Sequence, residues 1–166
     1  MKNNPTIDII IPCYNVSQTI WECVTSILNQ SYTKNKVSIF LINDCSTDET
    51  GKIINSFSKD ENVRVFHHKK NLGLSAARNS GINAGNGDII FFLDSDMSVK
   101  PQWIQLHLNE LEKKDVIGVV GDSQLPNGIH SNKLDRYLYH PKRGARKIGM
   151  GTPVPFQYFL FNNTSL

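Results

Sequence analysis

Long apolar runs are missing from these 166 residues. Stretches such as Ile89–Leu93 stop after five residues, where a membrane-crossing helix needs ~20. Residues 1–6 are polar and carry no secretory leader ahead of the first apolar run. Cysteine is scarce. Cys13, Cys23 and Cys45 are odd in number, and no pair has the spacing of a redox dithiol or a zinc set. They read as free thiols of a reducing compartment. The expected location is cytoplasmic, with contact at the inner face of the membrane left open. Strong charge is absent as well. A net charge of +3 suits an anionic small ligand and leaves no electrostatic footprint for nucleic acid. Glycine is missing where a dinucleotide fold would need it: "PCYNVSQT", after the first apolar run, has none. That excludes backbone cradling of a pyrophosphate at this turn, and a P-loop is absent too. A ligand here must be held by side chains or through a metal.

What is present is a rhythm. Apolar runs at 7–11, 37–42, 63–66, 89–93 and 116–120 alternate with helical patterns. Ile20, Val24, Ile27 and Leu28 form one stripe over 19–29, and Ile53, Ile54 and Phe57 form a second. Thr19 with Glu22 and Ser46 with Glu49 have capping-box spacing. The third helix is expected over 75–84, closed by Gly85, with Leu74, Ala77, Gly81 and Ala84 on a small-residue face. Pro101 opens a fourth, which buries Ile104, Leu108 and Leu111. This alternation predicts an α/β fold: a doubly wound, Rossmann-like, mostly parallel sheet with helices on both faces. Residues 1–121 form the α/β core, and 122–166 form a polar segment of the same domain. That segment holds a short helical pattern at 131–140, a basic stretch at 133–147 and a final strand in "PFQYFLFNNTSL". The basic stretch reads either as a solvated loop or as a lid that meets an anionic acceptor or membrane.

Ligands of such sheets bind at the carboxyl ends of the strands. Three strand ends carry polar chemistry: Pro12–Asn15, Asn43–Thr50 and Asp94–Asp96. Asp94 and Asp96 are two hard carboxylates one residue apart, suited to Mg²⁺ or Mn²⁺ with water and phosphate completing the shell. They equally read as a turn with two solvated aspartates. Asp44 can accept a hydrogen bond from a base or ribose, or can serve as a helix N-terminal charge. Arg78 can clamp phosphate oxygens or lie on the surface. Tyr14 can stack on a base or sit half-buried in a loop. His67 and His68 read as solvated residues at a strand end, and Asp122 as a loop aspartate. Asp94-Ser95-Asp96-Met97-Ser98 also matches the local form of a haloacid-dehalogenase-like phosphatase, with Asp94 as nucleophile.

In order, "IIIPCYN", "INDCSTDET", "NLGLSAARNSGINAGNGDIIFFLDSDM" and "YFLFNNTSL" resemble family 2 glycosyltransferases of the GT-A fold. The resemblance implies an inverting, divalent-metal-dependent transfer of sugar from a nucleotide diphosphate sugar, commonly UDP-linked, to a glycan or lipid-linked acceptor. It implies that Pro12, Tyr14, Asn15, Asp44, Arg78, Asp94 and Ser95 bind the donor. Asp96 with Asp94 would hold Mn²⁺ or Mg²⁺, and Asn163 would lie near the sugar or acceptor. The family's general base is expected beyond Leu166, which also leaves a nucleotide-binding module without full activity as an alternative. Cys45 stands where relatives often have glycine, so a positive φ there would strain it.

Overall fold

A computed structural model describes residues 4–124, 152 and 163–166. In chain order the elements are β1 (Ile7–Cys13), α1 (Ile20–Leu28), β2 (Val37–Asn43), α2 (Thr50–Ser56) and β3 (Val63–His67). They continue with α3 (Leu74–Ala84), β4 (Ile89–Leu93), α4 (Trp103–Leu111), β5 (Val119–Val120) and β6 (Asn163–Ser165). The described strands form one six-stranded sheet, ordered β3-β2-β1-β4-β6-β5. The first four are mutually parallel, with Ile7 beside Val37 and Ile89. β6 runs antiparallel between β4 and β5.

All seven residues of β1 are buried, as expected of a central parallel strand covered on both faces. Alternate residues feed two cores. Ile7, Ile9 and Ile11 pack with α1, α2 and α4, whereas Ile10, Phe40, Ile42 and Phe92 meet Ala77 of α3. Each fully buried Ile, Leu or Phe contributes about 1.5–3 kcal/mol relative to exposure. Gly81 lets α3 approach closely, since a Cβ there would come 2.5 Å from Ile10 Cγ2.

Several local expectations change. Neither capping box forms. Thr19 precedes α1 without a side-chain cap, and its hydroxyl instead reaches Val16 O at 3.4 Å. Ser46 lies too early for α2, so Asp48 takes over, accepting from Thr50 N at 2.9 Å and Ser17 N at 3.1 Å. Against the cost of burial, these partners pull its carboxyl down to about 2. Ala77 and Gly81 of the small-residue face are buried, but Leu74 and Ala84 are exposed. The fifth strand spans two residues, Val119–Val120, rather than 116–120. The helix at 131–140 and the basic stretch at 133–147 lie outside the described residues. Among the described residues no helix is long and apolar enough to cross a membrane.

Candidate functional site

The chain winds from β1 to β2 to β3 in one direction, then returns to place β4 on the other side of β1. Connections therefore diverge beyond the carboxyl ends of β1 and β4, which opens a crevice. A cleft of about 430 Å³ occupies that position. Pro12, Cys13 and Tyr14 reach it from β1, Asp44 from β2, and Asp94, Ser95 and Asp96 from β4. Asn71, Gly73, Leu74 and Ala77 close it from the start of α3. A smaller cavity of about 170 Å³ lies at the opposite edge, beside Pro5, Tyr32 and Glu112. There the Tyr32 hydroxyl is already committed to Pro5 O at 2.7 Å.

Asp44 is 3% exposed yet lines the cleft. Its Oδ1 accepts from Leu72 N at 2.8 Å and meets His68 Nδ1 at 2.7 Å. Its Oδ2 accepts from Gly73 N at 2.7 Å. Burial alone would raise its pKa, but the bonds from Leu72, His68 and Gly73 hold it below the usual carboxylate range. It is therefore an anion at neutral pH, and it anchors the loop that walls the pocket. His68 is not the solvated residue its doublet with His67 implied. Its side chain is 11% exposed, and its Nε2 meets Ser80 Oγ of α3 at 2.9 Å. His67 is exposed but still bridges Asn43 and Asn55, both at 2.9 Å.

Arg78 Nη2 donates to Asp94 Oδ1 at 3.1 Å, so the guanidinium is held at the mouth of β4. Burial pushes the Asp94 carboxyl up against the pull of Arg78, and nearby Asp96 adds to the rise. Two carboxylates this close favour a cation between them. Asp96 is exposed. Among the described residues no three His, Cys, Asp or Glu side chains gather. Two carboxylates would suit an ion such as Mg²⁺ or Mn²⁺ that keeps waters and takes phosphate oxygens as further ligands.

Tyr14 is 48% exposed and lines the cleft. Asn15 lies outside the cleft lining and clips two turns together. Its N donates to Ser46 Oγ at 3.0 Å, and its Oδ1 accepts from Thr47 N at 2.8 Å. Asn15 and Cys45 both adopt left-handed backbone, at φ 52° and 62°. The strain foreseen at Cys45 is thus real and costs about 1 kcal/mol or more. Cys13 and Cys23 are buried free thiols. Burial raises Cys13 to about 12, so it lines the cleft as an inert apolar group.

Asn163 is likewise outside the lining. It is 5% exposed, and its Oδ1 accepts from Trp103 Nε1 at 2.7 Å. Two residues on, Ser165 Oγ meets His107 Nδ1 at 2.8 Å. Alternation in β6 turns both polar side chains toward α4. Asp122 is exposed, and its Oδ2 accepts from Gln124 at 3.3 Å.

The model of the family described as "Glycosyl transferase family 2" matches residues 8–162. The chain belongs to that family. Glycosyltransferase relatives agree. EpsJ of Bacillus subtilis, an uncharacterized glycosyltransferase, is 38% identical over 138 residues, 82% of this chain and 38% of that one. GlyG of Streptococcus pneumoniae is 36% identical over 117 residues, 70% of this chain and 38% of that one. This family 2 chain thus spans less than half the length of either relative. Solved structures agree on the fold. S. aureus TarS 1–349 in complex with UDP superposes at TM-score 0.66 and 22% identity, over 77% of this chain and 38% of that one. The mannosyltransferase PcManGT from Pyrobaculum calidifontis, in complex with GDP-Man and Mn²⁺, gives 0.69 and 20%, over 74% and 37%. The phosphatase alternative loses its footing, because the Asp-Ser-Asp turn follows the fourth strand of a glycosyltransferase-family sheet.

Sequence reasoning missed Asn71, Gly73, Leu74 and Ala77 as cleft walls, and His68 behind them. The Asn-Leu-Gly turn ahead of α3 was the available signal, since Gly73 takes φ 88° there.

Proposed function

We propose that the cleft binds a nucleotide diphosphate sugar, in first place a UDP-sugar, and that the chain serves its transfer with inversion to a glycan or lipid-linked acceptor. The observation that carries this reading is the convergence of Tyr14, Asp44, Asp94 and Asp96 on one cleft at the sheet's switch point. Tyr14 offers a face for the base, and Asp44 offers a carboxylate oxygen for a base N–H or ribose hydroxyl. Arg78, already oriented by Asp94, offers a guanidinium to phosphate oxygens. Ser95 lies between the two aspartates at the same edge. The complexes of TarS with UDP and of PcManGT with GDP-Man support a donor of this class.

In the transfer, an acceptor oxygen bonds to the anomeric carbon while the bond to the diphosphate breaks. The diphosphate leaves with the electron pair, and the acceptor proton passes to a base. Mn²⁺ or Mg²⁺, held by Asp96 with Asp94, would neutralise charge on the leaving group. The pocket's own residues bind and orient the donor, and acceptor activation falls to groups outside it.

Calorimetric titration with UDP and with GDP, each with and without Mn²⁺, tests the reading. UDP should bind more tightly with Mn²⁺ present. No binding of either nucleotide would sink it, and GDP binding more tightly than UDP would overturn the choice of base.

A further inference from the structure

We propose that His68 is a positioning residue for the donor pocket, which sets which oxygen of Asp44 is offered to the ligand. The proposal rests on the donor-binding reading of the cleft. A carboxylate has about four lone-pair sites. Leu72 N and His68 Nδ1 use both on Oδ1, while Gly73 N uses one on Oδ2. The remaining acceptor site is therefore on Oδ2. Removing His68 frees a second site on Oδ1 and loosens rotation of the carboxylate about its stem.

His68 is well placed for this task because its backbone and ring together tie the end of β2, Asp44 and α3 to one residue. Its backbone N donates to Asn43 O at the end of β2, at 2.9 Å. Its ring runs from Asp44 to Ser80 on α3. A hydroxyl donated by Ser80 to Nε2 leaves the proton on Nδ1, where it faces Asp44. Asp44 in turn fixes the Leu72 and Gly73 amides, and Gly73 and Leu74 wall the cleft. His68 touches the ligand nowhere in this scheme and acts through Asp44 and the 71–73 loop.

The side-chain lengths allow a discriminating experiment. Asparagine carries an N–H near the place of Nδ1, whereas glutamine reaches the place of Nε2. UDP titrations with Mn²⁺ on His68→Ala, His68→Asn, His68→Gln and the unaltered chain separate the two arms. His68→Ala and His68→Gln should weaken UDP about tenfold, and His68→Asn should stay within about threefold of the unaltered chain. Hydrogen exchange without nucleotide should show the Leu72 and Gly73 amides faster in His68→Ala than in His68→Asn. Unchanged affinity in His68→Ala overturns the proposal. So does equal weakening in all three variants with equally lowered melting temperatures, because that pattern marks a packing role. Absence of binding by the unaltered chain is a separate failure, which takes down the donor-binding reading and this proposal with it.

Discussion

Asp8 and Asp44 sit at opposite edges of the same sheet and are almost equally buried, at 4% and 3% exposed. Both accept hydrogen bonds from loop amides: Asp8 from Gly87 N at 2.6 Å, Asp44 from Leu72 N and Gly73 N. Their surroundings differ. At the amino edge the loop closes tightly over Asp8, and a Cβ on Gly87 would come 2.8 Å from Asp8 Cγ. At the carboxyl edge a Cβ on Gly73 would meet nothing within 4 Å. A buried carboxylate is therefore no sign of a site in itself. The open volume beside Asp44 is what distinguishes it.

The largest expected effect breaks the tight edge. Gly87→Val should force Asp8 and its loop apart and lower stability by about 3 kcal/mol, read by urea unfolding. Nucleotide affinity of the folded fraction should stay unchanged. Next comes Asp44→Ala, which should weaken UDP about 100-fold, or about 2.7 kcal/mol. Asp8→Asn should leave the same titration unaltered, and equal losses in both would erase the contrast. A smaller effect is expected at the β4 tip. Asp96→Asn should lower the affinity for UDP with Mn²⁺ about tenfold, or about 1.4 kcal/mol, and should change little without Mn²⁺.

His107 is a buried group away from both edges, and its environment makes stability respond to pH. Burial depresses His107 from the ordinary 6.5 to about 4. Its folded form thus prefers the neutral ring, while the unfolded chain takes up a proton below about 6.5. The stability this contributes is present above pH 6.5 and is lost as pH falls toward 4, by at most about 1.4 kcal/mol per unit. His107→Phe should flatten that slope in melts taken across this window.

Two strand ends were legible because the apolar run halts at a polar residue. Asp44 follows Ile42 and Asn43, and Asp94 follows Leu93 directly. The helix stripes were legible because 3.6-residue periodicity is local. Capping was misread because Asp48 outcompetes Ser46 once Ser17 is brought alongside it. His68 looked solvated because its partners lie 24 and 12 residues away. Asn163 was placed by motif, and its hydrogen bond from Trp103, 60 residues earlier, was not legible in sequence.

By itself, the sequence determined the alternation of strands and helices, hence the parallel sheet, its carboxyl edge and the residues that stand at that edge. Tertiary structure alone decided which of them face the cleft, which of them are spent on holding loops, and that β6 enters the sheet between β4 and β5. The physical reason is range. Periodicity and turn chemistry act over a few residues, but a hydrogen bond between Asp44 and Gly73 exists only after the sheet has brought distant segments together.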